Sequence, residues 1–214
     1  MTLSQDLWQE HQSIVAEMMH DPFIEGIADA SLSHQRFTYA MRQEGHYLET
    51  IARVYSIAAA KAPGWESFGM LHSMADRAVR DVEMYYQFAP QLGVDVVDKT
   101  LDPTMHRFTD FLLSTAWGQD IGLTVVALVP WQRAYDFIGD EISHHDIPEH
   151  GSIDWLRNCT DPGRDLLIRQ LEDLIDHYAR PTPVTYNTYQ YALQCQRDFF
   201  QAAWDTEPDA ESEE

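Results

Sequence analysis

Between Ser33 and the Pro63–Gly64 pair the chain reads as one long amphipathic helix. Phe37, Met41, Leu48, Ile51, Val54 and Ile57 recur at the 3.6-residue period. Ser33 can cap the start, and the Pro–Gly pair stops it after about Ala62. So long an apolar stripe must be covered along its whole length, and the other segments offer mainly helices to cover it. Residues 3–20 place Leu3, Leu7, Ile14, Val15 and Met18 at helical spacing, with Ser4 and Asp6 near the start. A third helix is predicted from Trp65 to Leu92, closed by Gly93. Pro103 opens a fourth that ends near Gly118. A fifth covers Ile121 to Ser143, and Pro130 inside it is expected to kink it. HHDIPEHG reads as a loop, Ser152–Asn158 as a short helix, and Asp161–Pro162 as the start of a helix to about Ala179. PTP at 181–183 is a hinge before a last helix, Val184 to Trp204. The most strand-like run, Val125 to Leu128, sits inside a helical pattern. The expectation is an all-α, single-domain helical bundle over residues 1–204, with an acidic, disordered tail at 205–214.

Charge narrows the partners. The net charge is -21, and the only lysines are Lys61 and Lys99. The tail from Asp205 to Glu214 carries six acids and no base, a minor part of that excess, so the body itself is strongly acidic and its surface repels nucleic-acid phosphates and anionic membranes. No run of about 18 apolar residues suits a membrane span. The opening MTLSQDLWQEHQ has no basic region followed by an apolar stretch, so the expected location is the cytoplasm. The 2 cysteines, Cys159 and Cys195, cannot build a disulfide framework.

Glu44 and Tyr47 are three residues apart on the long helix and share a face. A carboxylate accepting N–H groups beside a phenol suits the edge of an amino-substituted heteroaromatic ring. From periodicity alone, a solvated Glu beside a packing Tyr is the alternative. Further along, LVPWQRAYDFIG (128–139) carries Trp131 and Tyr135 one turn apart after Pro130. HRFTDFLLSTA (106–116) carries Phe108 and Phe111, and YALQCQRDFFQAAWD (191–205) carries Cys195, Gln196, Phe199 and Phe200.

Together these stretches resemble the TenA/thiaminase II family across nearly the whole chain to Trp204. The family pattern F..YL.QD..YL is similar to FTYAMRQEGHYL here, so Glu44 stands where a pyrimidine-binding Asp stands and Tyr47 matches a family Tyr. Glu for Asp keeps the charge but shifts the carboxylate by about 1 Å, enough to alter ligand fit. Pro130, Tyr135 and Gly139 match the second motif, but Trp131 replaces the Cys that attacks the pyrimidine ring in thiaminase II. Phe108 replaces a binding Tyr, and Gln196 replaces the Glu that moves protons, leaving no usable pKa there. Trp155 matches a family Trp, Ser152 and Cys159 replace tyrosines, and Glu83 matches a Glu before a Gly-ended helix. Cys195, adjacent to Gln196, should point about 100° away around the helix, as an inert buried thiol rather than a substitute nucleophile.

The resemblance implies a haem-oxygenase-like bundle that assembles as a homo-oligomer, a tetramer or dimer. It implies a small heteroaromatic ligand related to the thiamin pyrimidine, held by Glu44, Tyr47, Phe108, Trp131, Tyr135 and Gln196. No cofactor is expected. Hydrolysis of a C–N bond would have to use water activated by Glu44; the alternative is a non-catalytic ligand-binding or regulatory relative. A haem or di-iron oxidoreductase of the same superfamily is disfavoured. The last helix lacks His, the candidates for a proximal haem ligand are His11 and His20, and the loop cluster His144, His145, Asp146, Glu149 and His150 has no defined metal-ligand spacing.

Overall fold

Most of the described helices start at a side chain that satisfies an otherwise orphaned backbone N–H, although the helix that follows Gly64 has no such cap. In the computed structural model, which describes residues 1–98, 100–144 and 162–206, helix α1 (Leu3–Met18) begins with a capping box between Thr2 and Gln5. The expected continuation to His20 fails, because Asp21 and Pro22 start a separate short helix. Asp21 accepts from the Phe23 N–H at 2.9 Å and opens α2 (Pro22–Ala28), which the periodicity of residues 3–20 did not include. Ser33 caps α3 (His34–Lys61), accepting from the Arg36 N–H. Lys61 at its end donates to the backbone carbonyls of Ala116 and Gln119, tying it to the end of α5.

Helix α4 (Trp65–Phe88) is shorter than expected. A 3-10 turn, Ala89–Leu92, replaces its last residues. Pro90 has no N–H to continue the α-helical pattern, so the turn tightens before Gly93 ends it at φ 78°. Asp102 caps α5 (Pro103–Gly118) and Asp120 caps α6 (Ile121–Ser143), which contains Pro130. Pro130 offers no N–H to the carbonyl of Val126. Helix α7 (Pro162–Tyr178) and helix α8 (Pro183–Asp205, capped by Thr182) complete the described chain. The expected loop after His144 and the short helix Ser152–Asn158 lie outside the described residues, as do Trp155, Cys159 and residues 207–214 of the tail.

The described residues are all-α, and none of their helices is long and apolar enough to cross a membrane. Helix α3 lies along α4 and α5, while α6 lies along α7 and α8. Gly45 permits the close α3–α4 approach, because a Cβ there would meet the Tyr85 ring at 2.6 Å. The core where these layers meet is unusually aromatic. Trp131, Tyr47, Tyr55, Tyr135, Tyr189, Phe108, Phe199 and Phe200 are all fully buried. Rings of this size each remove about 150–250 Å² from water, so they dominate the burial energy.

Candidate functional site

Helix α3 turns one stripe inward along Glu44, Tyr47, Leu48, Ile51 and Tyr55, the i, i+3, i+4, i+7 pattern of a single face. Helix α4 answers with Met74, Arg77, Ala78 and Asp81 at the same spacing. Between them, closed by Trp131, Gln132 and Tyr135 of α6 and by Arg164 and Leu167 of α7, is a cavity of about 350 Å³. That size falls in the range of small-molecule sites.

Four of the six residues expected at a site line this cavity: Glu44, Tyr47, Trp131 and Tyr135. The other two lie behind its wall. Phe108 on α5 stacks on Trp131 with centroids 5.2 Å apart and on Tyr47 at 5.7 Å, nearly parallel at 6°. Gln196 on α8 is fully buried and donates from Nε2 to the Trp131 carbonyl at 3.4 Å, while its Oε1 has no partner. The indole of Trp131 fills the space beside the Tyr47 phenol at 4.1 Å and meets Tyr135 edge-on at 5.2 Å.

The polar groups of the cavity form a chain. Arg164 donates to Gln132 Oε1 at 3.0 Å, and Gln132 Nε2 donates to Tyr47 Oη at 3.4 Å. Burial pushes the Tyr47 phenol well above its ordinary pKa, and the neighbouring Tyr55 phenol and Glu44 carboxylate add to this against the pull of Arg164. Burial likewise raises Tyr55, against the opposing pull of Arg77 and Arg164. At neutral pH both phenols are therefore neutral hydroxyls. With its Oη accepting from Gln132, Tyr47 has its O–H left to donate. Glu44, half-buried on the same wall, is an acceptor.

Tyr55, Arg77, Asp81, Gln132 and Arg164 were not singled out from the sequence. Tyr55 lies two turns beyond Tyr47 on the same stripe, so helical spacing could have found it. Arg77 and Asp81 form an i, i+4 pair that reads as an ordinary surface ion pair, 4.0 Å apart. Arg164 enters only because α7 packs on α6. Glu83 is exposed on the outer side of α4 and does not line the cavity. Cys195 is buried against Arg107 and Tyr191, away from the cavity lining, and its burial raises the thiol pKa. His11 is buried with Nδ1 2.8 Å from the Leu7 carbonyl, and His20 is exposed.

The fold and this cavity define a class: an all-helical bundle with an internal aromatic pocket walled by its long third helix. The model of the TENA/THI-4/PQQC family matches residues 8–207, and the chain belongs to that family. It is 26% identical over 162 residues to an aminopyrimidine aminohydrolase of Bacillus subtilis, covering 73% of this chain and 67% of that protein. It is 24% identical over 158 residues to the thiamine biosynthesis multifunctional protein ThiED of Corynebacterium efficiens, again over 73% of this chain. The match spans only 21% of ThiED's length. A TenA homologue from P. horikoshii superposes with a TM-score of 0.88 at 19% identity, covering 95% of this chain and 99% of that one.

Proposed function

We propose that this protein binds a thiamin-related aminopyrimidine, or a similar small amino-substituted heteroaromatic, in the cavity between α3, α4, α6 and α7. The observation that carries this reading is that Glu44 and Tyr47 line one wall of the cavity that Trp131 and Tyr135 also line. The Glu44 carboxylate accepts from the ring's amino edge. The Tyr47 hydroxyl, with Gln132 behind it, donates to a ring nitrogen. The indole and phenol faces supply apolar stacking surface. The name of the B. subtilis relative supports the ligand class.

The site has no sulfur nucleophile where the family resemblance places one, because position 131 is an indole. Gln196 hydrogen-bonds but does not titrate. Binding therefore needs only the acceptor, donor and ring faces at the cavity, while cysteine-based chemistry has no thiol at position 131 to use. Hydrolysis is the second reading, and it rests on Glu44 alone. A carboxylate lining the cavity can take a proton from water as the hydroxyl replaces the amine on the carbon that carries it; the C–N bond breaks and the departing amine leaves with that proton. Calorimetric titration with an aminomethyl-substituted aminopyrimidine and with thiamin, followed by chromatography of the mixtures, tests both readings. The expected result is saturable binding of the pyrimidine with no product. Turnover at enzymatic rates would replace the binding reading with the hydrolytic one, and no binding of either compound would remove both.

A further inference from the structure

Tyr47 lines the cavity and is 2% exposed, so its neighbours rather than bulk water set the direction of its hydroxyl. Gln132 of α6, also buried, stands beside it with its amide nitrogen 3.4 Å from Tyr47 Oη. A primary amide can present either end to a hydroxyl, accepting through its oxygen or donating through its nitrogen. Arg164 removes that choice. Its guanidinium carries donors and no acceptor, so the end of the amide that it meets at 3.0 Å is the oxygen. The nitrogen is thereby turned toward Tyr47. Arg164 itself is held at this wall, in the first turn of α7, with its Cζ 5.9 Å from the centroid of the Tyr135 ring. The phenol oxygen accepts from Gln132, and its own hydrogen has to turn away from that N–H.

We propose that Arg164 and Gln132 are positioning residues that fix Tyr47 as a hydrogen-bond donor. The site then selects a ring with an unprotonated nitrogen over a ring of the same shape that offers C–H or N–H there. The inference rests on the ligand reading above and extends it from a ring class to the polarity of one ring atom. A nitrogen lone pair completes the chain that begins at Arg164. A C–H leaves the Tyr47 hydrogen buried without an acceptor, and an N–H meets it as a second donor. Arg164 and Gln132 act here through Tyr47, so their contribution is to selectivity.

The test uses a methyl-substituted aminopyrimidine and the methylaniline of the same shape, in which C–H groups replace both ring nitrogens. Both are titrated calorimetrically into the full chain at mildly alkaline pH, where both rings are uncharged. The wild-type protein should bind the aminopyrimidine about tenfold tighter than the aniline. Gln132→Glu keeps the side-chain shape, but its carboxylate accepts from Arg164 with one oxygen and from the Tyr47 hydroxyl with the other. The preference should then fall severalfold, toward equal affinity. Arg164→Met frees the amide to turn its oxygen to Tyr47, and it should lower the preference in the same direction if the first variant does not fold. A change that merely loosens the wall weakens both rings alike and leaves their ratio in place. An unchanged ratio in either folded variant would overturn the relay and leave the aminopyrimidine reading standing. Equal wild-type affinity for the two rings would overturn the donor assignment while the amino grip at Glu44 stands. If neither ring binds, the ligand reading fails and the relay falls with it.

Discussion

Replacing Trp131 by alanine tests the packing that defines the cavity wall. The indole is 1% exposed and contacts the rings of Tyr47, Phe108, Tyr135 and Phe199 at centroid distances of 4.1, 5.2, 5.2 and 5.5 Å. Truncating a fully buried aromatic side chain to alanine costs about 3–5 kcal/mol, from lost transfer energy and the void left behind. Here the void opens into an existing cavity, where water can enter, so the lower part of that range applies, about 3–4 kcal/mol. For a chain of this size each kcal/mol lowers Tm by about 2–4 °C, giving a fall of about 6–16 °C. Urea titration read by circular dichroism measures the free energy, and a thermal melt checks it. Trp117→Ala serves as the control. That indole is 73% exposed, and its loss should change stability by no more than about 0.5 kcal/mol. If Trp131→Ala also costs less than about 1 kcal/mol, position 131 does not hold the aromatic stack, and the wall of the site must be redrawn.

Gly45→Ala should lower stability by about 1–3 kcal/mol in the same urea assay, because the new methyl collides with the Tyr85 ring and must push α3 from α4; an unchanged midpoint would show that Tyr85 swings freely aside. Tyr55→Phe should raise the melting temperature of the ligand-free protein by a few degrees, since it deletes a buried hydroxyl that lacks a partner; a clear fall would mean that the hydroxyl is already well bonded. Alkaline pH should destabilise the fold. Tyr47, Tyr55 and Tyr189 have their pKa values raised in the folded state, chiefly by burial, so they stay protonated while the unfolded chain ionises near pH 10. Their contribution is intact below about pH 10 and is lost above it, by about 1.4 kcal/mol per phenol at pH 11. Denaturation curves at pH 9 and 11 that coincide would refute it.

What the sequence made legible was whatever local chemistry decides. Ser33 and Pro63–Gly64 bracket α3, Pro103 opens α5, and Gly93 closes the turn after α4, because caps and breakers act within a few residues. The α2 helix escaped because a seven-residue segment shows no periodicity, although Asp21–Pro22 carried the start signal. At the site, helical spacing puts Glu44 with Tyr47 and Trp131 with Tyr135 on shared helix faces, but it was the family resemblance that pointed these faces at a ligand rather than at solvent or core. Phe108 and Gln196 were expected at the ligand but sit one layer back, since a face turned toward the core does not say which side chain reaches the cavity first. Arg77 and Arg164 were illegible for a complementary reason. Isolated arginines on exposed helices are ordinary, and only the packing of α4 and α7 on their neighbours brings both to the cavity.

The central claim is that Glu44 grips the amino edge of a heteroaromatic ring inside this cavity. Calorimetric titration of an aminopyrimidine into the wild-type protein and into Glu44→Gln measures it most directly. The substitution keeps the shape and removes the charged acceptor. Loss of a charge-assisted hydrogen bond corresponds to about 1.5–3 kcal/mol, a weakening of roughly 10- to 150-fold in Kd. Saturable wild-type binding weakened by that factor is the predicted result. Equal affinity in the two proteins would contradict the account.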